Sequence, residues 1–168
     1  QEAKREALMV AFISGGHLLL EGPPGEGKTE GVKVLARSLD ARFNRIQCNP
    51  DLTASDVTGA NSWDAQQQGY AFKEGPVFGS LVLVDEINRA VTKTQSALLE
   101  PMCESQVTVD NKTYDVPPGF TVVATQNPLD NSGTFPLPEA QLDRFMLCVL
   151  IPYATPEEEV EIAERKAQ

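Results

Sequence analysis

The sequence is poor in the residues that build disulfide frameworks and metal clusters. It holds three cysteines, Cys48, Cys103 and Cys148, far apart, odd in number and without a C-x-x-C pair. That argues against a disulfide scaffold and a cysteine zinc site, and in favour of reduced thiols. A single histidine, His17, opens an apolar run; a lone imidazole makes no metal cluster and reads as structural. No apolar stretch approaches the roughly 18 residues needed to cross a bilayer. No secretory leader is visible at the N-terminus, so Asn111-Lys112-Thr113 reads as a chance glycosylation match and the expected location is cytoplasmic. Basic clusters are also missing. The formal net charge is −10, and such a surface repels phosphate backbones, so nucleic acid is not expected as a partner. There is no internal repeat and no low-complexity tract.

What is present fits one globular domain with a sizeable core: 168 residues, 41% hydrophobic and 23% charged. Residues 2–13 read as an amphipathic helix with Ala7, Leu8, Val10 and Ala11 on its apolar side, ended by Ser14-Gly15-Gly16. Residues 17–21 read as a short buried strand. Residues 29–39 read as a helix presenting Val32, Leu35, Ala36 and Leu39 on one face. A second strand is expected at 42–47. Residues 49–69 are polar and punctuated, and 69–76 form a weakly patterned hairpin or loop. Leu81-Val82-Leu83-Val84 is the continuous apolar run of a strand buried on both faces. Residues 94–104 have a helical pattern with Leu98, Leu99 and Met102 inward. Residues 106–109 and 112–116 flank Asp110-Asn111 as a hairpin. Two more strands are expected at 120–125 and 145–151. Strands alternating with helices point to an α/β fold with a parallel sheet and right-handed crossovers. Near the end, Thr155, Pro156 and Glu158 mark a capped helix start, and Glu157 to Glu159 suit its solvated first turn.

The chemistry concentrates in four places. Gly22-Pro23-Pro24-Gly25-Glu26-Gly27-Lys28-Thr29 fits G-x-x-x-x-G-K-[ST], between an expected strand and an expected helix. Backbone N–H groups of such a loop converge on phosphates, Lys28 adds a point charge, and the Thr29 hydroxyl can hold Mg²⁺. A plain glycine-rich turn would leave the Gly-Lys-Thr order unexplained. Asp85-Glu86 follows the apolar strand directly. Asp85 can hold Mg²⁺ and Glu86 can orient or deprotonate an attacking water; alternatively, the pair caps the following turn. Asn127, just past the 120–125 strand, either helps position water near a γ-phosphate or forms a turn before Pro128. Arg144, ahead of the last strand, either stabilises charge in phosphoryl transfer or pairs with Asp143 or another carboxylate; Arg89 offers the same two choices. No Asn-Lys-x-Asp segment for reading guanine is present, and a small-molecule kinase leaves the Asn127 and Arg144 segments without a role.

Further stretches, in order, carry a resemblance: Gly75-Pro76-Val77-Phe78, Asp85-Glu86-Ile87-Asn88-Arg89-Ala90, Lys93-Thr94-Gln95-Ser96-Ala97-Leu98-Leu99-Glu100, Ala124-Thr125-Gln126-Asn127-Pro128 and Leu137-Pro138-Glu139-Ala140-Gln141-Leu142-Asp143-Arg144-Phe145. With the phosphate loop, they make the chain resemble the AAA+ ATPases, and among them the MoxR group. The resemblance implies that residues 22–29 are the Walker A loop, Asp85 and Glu86 the Walker B pair, Asn127 the sensor-1 residue and Arg144 an arginine finger acting on the adjacent subunit. It implies a P-loop three-layer α/β/α sandwich with a five-stranded parallel sheet of order 5-1-4-3-2. A helix-2 insert is expected around 62–78 and a pre-sensor hairpin around 106–117. Residues 1–154 would be the AAA+ core and 155–168 the start of a linker or lid helix, the lid itself lying beyond. ATP or ADP and Mg²⁺ are the implied ligands. Ring-shaped homo-oligomers, typically hexamers, and partners with von Willebrand factor A domains are the implied assemblies. The expected activity is ATP hydrolysis coupled to chaperone-like remodeling; the alternative is an ATP-gated assembly module in which hydrolysis is incidental. Without a lid, this core is expected to bind nucleotide weakly and turn it over slowly.

Overall fold

Apolar patterning decides where each strand sits in the sheet. The computed structural model describes residues 2–23, 28–66, 68–128 and 133–152. In chain order these form α1 (Glu2–Ser14), β1 (Leu18–Glu21), α2 (Lys28–Ser38), β2 (Phe43–Gln47), α3 (Ala54–Thr58), β3 (Gly59–Asp64), β4 (Gly69–Glu74), β5 (Leu81–Asp85), α4 (Thr92–Glu104), β6 (Gln106–Val109), β7 (Lys112–Asp115), β8 (Thr121–Gln126), α5 (Glu139–Leu142) and β9 (Leu147–Leu150). Short 3₁₀ turns at Pro76–Phe78 and Ile87–Arg89 flank β5. The strands β2, β5, β8, β1 and β9, in that spatial order, make one five-stranded parallel sheet. Counting only those strands along the chain and reading from the β9 edge, the order is 5-1-4-3-2.

β5 is buried at every residue and β8 at all but its last, because each has a neighbour on both sides and helices on both faces. The edge strands β2 and β9 are only partly buried. Successive strand residues face opposite ways, and the core divides accordingly. Leu18, Leu20, Leu81, Leu83 and Val123 pack with Ala7, Leu8 and Ala11 of α1 and Val32 and Ala36 of α2. Leu19, Val82, Val84, Val122 and Ala124 face the other way, onto Leu98 and Leu99 of α4 and Val57 of α3. These are the three layers.

Two antiparallel hairpins stand off this sandwich, β3–β4 and β6–β7. Phe72 of β4 stacks on Tyr114 of β7 with ring centroids 4.0 Å apart, and Asn61 donates to the Asp110 carboxylate at 2.7 Å, so the hairpins pack as one unit. The structure adds what the polar 49–69 stretch concealed. Thr53 and Asp56 form a reciprocal capping box that starts α3, and Gly59, at φ 87°, turns the chain into β3. At that position a Cβ would lie 2.2 Å from the Lys73 carbonyl oxygen, so no other residue fits the base of the hairpin.

Two residues assigned to apolar helix faces are exposed. Val10 is 52% exposed, because it lies about 100° round α1 from the buried Ala11. Leu39 is 39% exposed, because α2 stops at Ser38 and Asp40 turns left-handed at φ 48°. The capped helix expected from Thr155 lies outside the described residues, as does the 155–168 boundary.

His17 is buried at the start of β1. Its Nδ1 accepts the Val122 N–H at 3.0 Å, so the proton sits on Nε2, which meets the Met102 carbonyl at 3.1 Å. The ring thereby ties β1, β8 and α4 together. Burial lowers its pKa, partly offset by the Met102 bond. The unfolded chain takes up a proton near about pH 6.5, whereas the folded chain resists it. Stability is therefore fully present above that range and falls as pH drops through it. The urea midpoint should fall between about pH 7.5 and about pH 5.5, and fall less in His17→Gln; equal falls would contradict this role.

Candidate nucleotide-binding site

Parallel strands end on one edge of their sheet, so the chemistry at their C-terminal ends is gathered there. In register, Glu21 lies beside Gln126, Val84 beside Ala124 and Gln47 beside Asp85. β1 and β5 both pair with β8, which places their ends about 10 Å apart. Gly22 and Pro23 leave β1 on this edge, and Lys28 and Thr29 open α2. Residues 24–27 of the loop, Pro24, Gly25, Glu26 and Gly27, lie outside the described residues.

Gly22 donates its N–H to the Gln126 carbonyl at 3.2 Å. A Cβ on Gly22 would sit 2.6 Å from the Ile151 carbonyl oxygen and 2.9 Å from its Cβ. The glycine is therefore required by the exit of β9 as well as by any approach to phosphate. Next to it, the Gln126 amide donates to the Glu21 carboxylate, joining the ends of β1 and β8.

Asp85 is 5% exposed. Its Oδ1 accepts from the Thr125 hydroxyl at 3.2 Å, and its Oδ2 is 2.7 Å from Arg45 Nε. Glu86 has a left-handed backbone, φ 57° and ψ 49°, and its N–H donates to the same Thr125 hydroxyl at 3.0 Å. One buried hydroxyl thus uses its donor on the Asp85 carboxylate and its acceptor on the Glu86 backbone, fixing the first carboxylate and the turn that carries the second. The Glu86 carboxylate is met by Gln47 Nε2 at 3.2 Å and by Arg89 Nε at 3.2 Å. Arg89 therefore takes the ion-pair role, one of its two expected fates. Asn127 lies immediately past β8, and its carbonyl accepts from Asn88 Nδ2 at 3.3 Å. The Cys48 thiol reports the local field. Burial, then Asp85 and Glu86, push its pKa up to about 12, so it stays protonated beside the carboxylates.

Among the described side chains, those offered to a metal on this edge carry oxygen: the Asp85 and Glu86 carboxylates and the Thr125 hydroxyl. Among the described residues no cluster of three or more His, Cys, Asp or Glu could hold a metal by itself. One or two carboxylates beside a phosphate site are the usual setting for Mg²⁺, which takes the rest of its shell from phosphate and water. The residues present fit that ion.

Residues 17–147 match the sequence profile of the ATPase family associated with various cellular activities (AAA). The chain belongs to the AAA+ ATPases, in their MoxR group. It is 44% identical over 165 residues to Chaperone MoxR1 of Mycobacterium tuberculosis, covering 98% of this chain and 44% of that protein. It is 49% identical over 154 residues to YeaC of Bacillus subtilis, covering 92% of this chain and 48% of that protein. A crystal structure from Cytophaga hutchinsonii superposes with a TM-score of 0.83 at 44% identity, covering 99% of this chain and 50% of that one. The chain spans about half the length of these relatives.

In this AAA+ core Arg144 stands apart from the other candidates. It precedes β9, whose first residue, Leu147, pairs with Leu18 at the start of β1, so its backbone is on the opposite edge from Asp85. Its Nη1 donates to the Leu99 carbonyl of α4 at 2.6 Å. It borders a cleft of about 450 Å³ together with Thr58, Lys93, Ser96, Glu100 and Gln141. The sequence reading overlooked Thr125, Arg45 and Gln47. The available signals were a hydroxyl ending an otherwise apolar strand, and two polar residues spaced by two on an edge strand.

Proposed function

We propose that this chain is the nucleotide-hydrolysing core of a Mg²⁺-dependent ATPase that remodels or activates a partner protein. The observation that carries the reading is the shared sheet edge: the exit of β1 into a Gly-x-x-x-x-Gly-Lys-Thr loop, the Asp85-Glu86 end of β5 and Asn127 after β8 lie on it side by side. Residues 22–28 would wrap the phosphates, the backbone N–H groups coming from 25–28 because Pro23 and Pro24 have none and that of Gly22 is on Gln126, with Lys28 at the β- and γ-phosphates. Thr29 and Asp85 would hold Mg²⁺, which when bound neutralises charge developing on the phosphate oxygens. Glu86 would accept the proton of the attacking water, and Asn127 would hold that water in line. Arg144, on the far edge, would act on the site of a neighbouring copy in a ring. Chaperone MoxR1 is named as a chaperone. That name supports a chaperone-like role for this chain, toward a partner such as a von Willebrand factor A domain protein. Among the described residues no helix is long and apolar enough to cross a membrane.

The first test is binding. In the full-length protein, Lys28→Ala should abolish measurable binding of a fluorescent ATP analogue by equilibrium titration. Parent-level affinity would remove Lys28 from the phosphate cradle and with it this reading of the loop.

A further inference from the structure

The end of β2 carries charge that the reaction as described does not use. Arg45 and Gln47 project on one side of this edge strand, opposite Leu83 and Asp85 of β5. The Arg45 side chain is 47% exposed, yet its Nε reaches the Asp85 carboxylate, which is 8% exposed, at 2.7 Å. Its Nη2 donates to Gln47 Oε1 at 2.9 Å, which fixes the plane of the guanidinium. On the other side, Asp85 Oδ1 takes the neutral Thr125 hydroxyl. The carboxylate assigned to the metal is thus already in contact with a permanent cation, since arginine does not lose its proton in proteins.

We propose that Arg45 is a positioning residue that makes divalent-metal entry depend on nucleotide. The inference rests on the reading of Asp85 as the metal-side carboxylate. A bare dication approaching Asp85 meets the guanidinium on the same carboxylate and is repelled by it. A dication arriving with a nucleotide brings the negative charge of its phosphates, which offsets that repulsion. Arg45 therefore has two effects. Without nucleotide it neutralises and orients Asp85, and it disfavours occupation of the site by metal alone. With nucleotide its penalty is largely cancelled. An edge strand suits the task, because it lets the guanidinium reach the carboxylate from solvent without crossing the packed interior.

The test is Mn²⁺ binding to the full-length protein, read from the free-ion signal by electron paramagnetic resonance, with and without ADP. Four variants are compared with the parent: Arg45→Lys, Arg45→Gln, Arg45→Glu and Asp85→Asn. Without ADP, affinity should rise in the order parent and Arg45→Lys, then Arg45→Gln, then Arg45→Glu. Gln should gain about tenfold, a figure that allows for solvent screening of a half-exposed charge. With ADP, the gain should shrink to about threefold or less. A merely structural role for Arg45 would weaken Mn²⁺ binding in all three variants, and that result overturns the proposal. Flat affinities across the series, with Asp85→Asn weakening Mn²⁺·ADP binding, overturn it too and leave Asp85 as the metal side. Undiminished Mn²⁺·ADP binding in Asp85→Asn overturns the reading of Asp85 itself.

Discussion

In a Glu86→Gln variant of the full-length protein, ATP should remain bound while its hydrolysis slows by about 10²–10⁴-fold, the usual contribution of a general base. The substitution keeps the size and shape of the side chain and removes its ability to take a proton. It leaves the local backbone alone, because the left-handed turn at Glu86 is held through its N–H by Thr125, not through the carboxylate. Gln47 Nε2 and Arg89 Nε, which both meet Glu86 Oε2, can still donate to the amide oxygen of a glutamine. The phosphate loop and Asp85 are untouched, so nucleotide affinity should change little. Single-turnover hydrolysis and equilibrium binding, measured together, check both halves. Turnover at the parent level would show that another group activates the water. If the variant also assembles and engages its partner as the parent does, while the parent's hydrolysis proves dispensable for that engagement, the ATP-gated assembly reading takes over.

The second large effect is expected far from Glu86. Arg144→Ala should leave nucleotide binding by separated subunits at the parent level and slow hydrolysis by about 10³–10⁵-fold in the assembled protein, the range of a trans-acting arginine. The geometry gives Arg144 no route to the strand-end edge of its own sheet. Its backbone belongs to the edge where strands begin, and its guanidinium is engaged with the Leu99 carbonyl in α4. The Leu99 bond leaves further N–H groups of the guanidinium's five donors for a ligand at the bordering cleft. Steady-state ATPase rates across a concentration series that spans assembly, with the oligomer verified by sedimentation, separate the two effects. A change of less than about tenfold in a verified oligomer would reject the arginine-finger role.

The parts of this molecule that were legible in its sequence are those whose physics is local. Leu81–Asp85 and Thr121–Gln126 read as central strands because burial on both faces demands an unbroken apolar run. The β6–β7 hairpin was equally plain. Asp110 and Asn111 take φ of 49° and 62°, the paired left-handed residues that a two-residue hairpin turn requires and that Asp and Asn tolerate. β3 and β4 were not legible as a pair of strands. Their outer positions are polar or hold exposed aromatics, Trp63 at 60% and Tyr70 at 78%, so no alternation with a buried face marks them. The five residues of α3 are too few to show a helical period.

The candidate site divides along the same line. The phosphate loop and the acidic pair are contiguous in sequence, so their chemistry could be read directly. Thr125 and Arg45 act across the sheet on residues 39 or 40 positions away, and only the β2–β5–β8 register brings them there. In sequence Gly22 is the first residue of the phosphate-loop motif and no more than that. Its clash distance to Ile151, at the other end of the chain, adds a packing reason that no local pattern contains.

The most direct measurement is a crystal structure of the full-length protein with Mg²⁺ and a non-hydrolysable ATP analogue. It should place the β-phosphate against the backbone N–H groups of residues 25–28, and the ion between Thr29, the phosphates and Asp85, bonded to the carboxylate directly or through one water. Phosphates and ion bound anywhere but the C-terminal edge shared by β1, β8 and β5 would contradict the account.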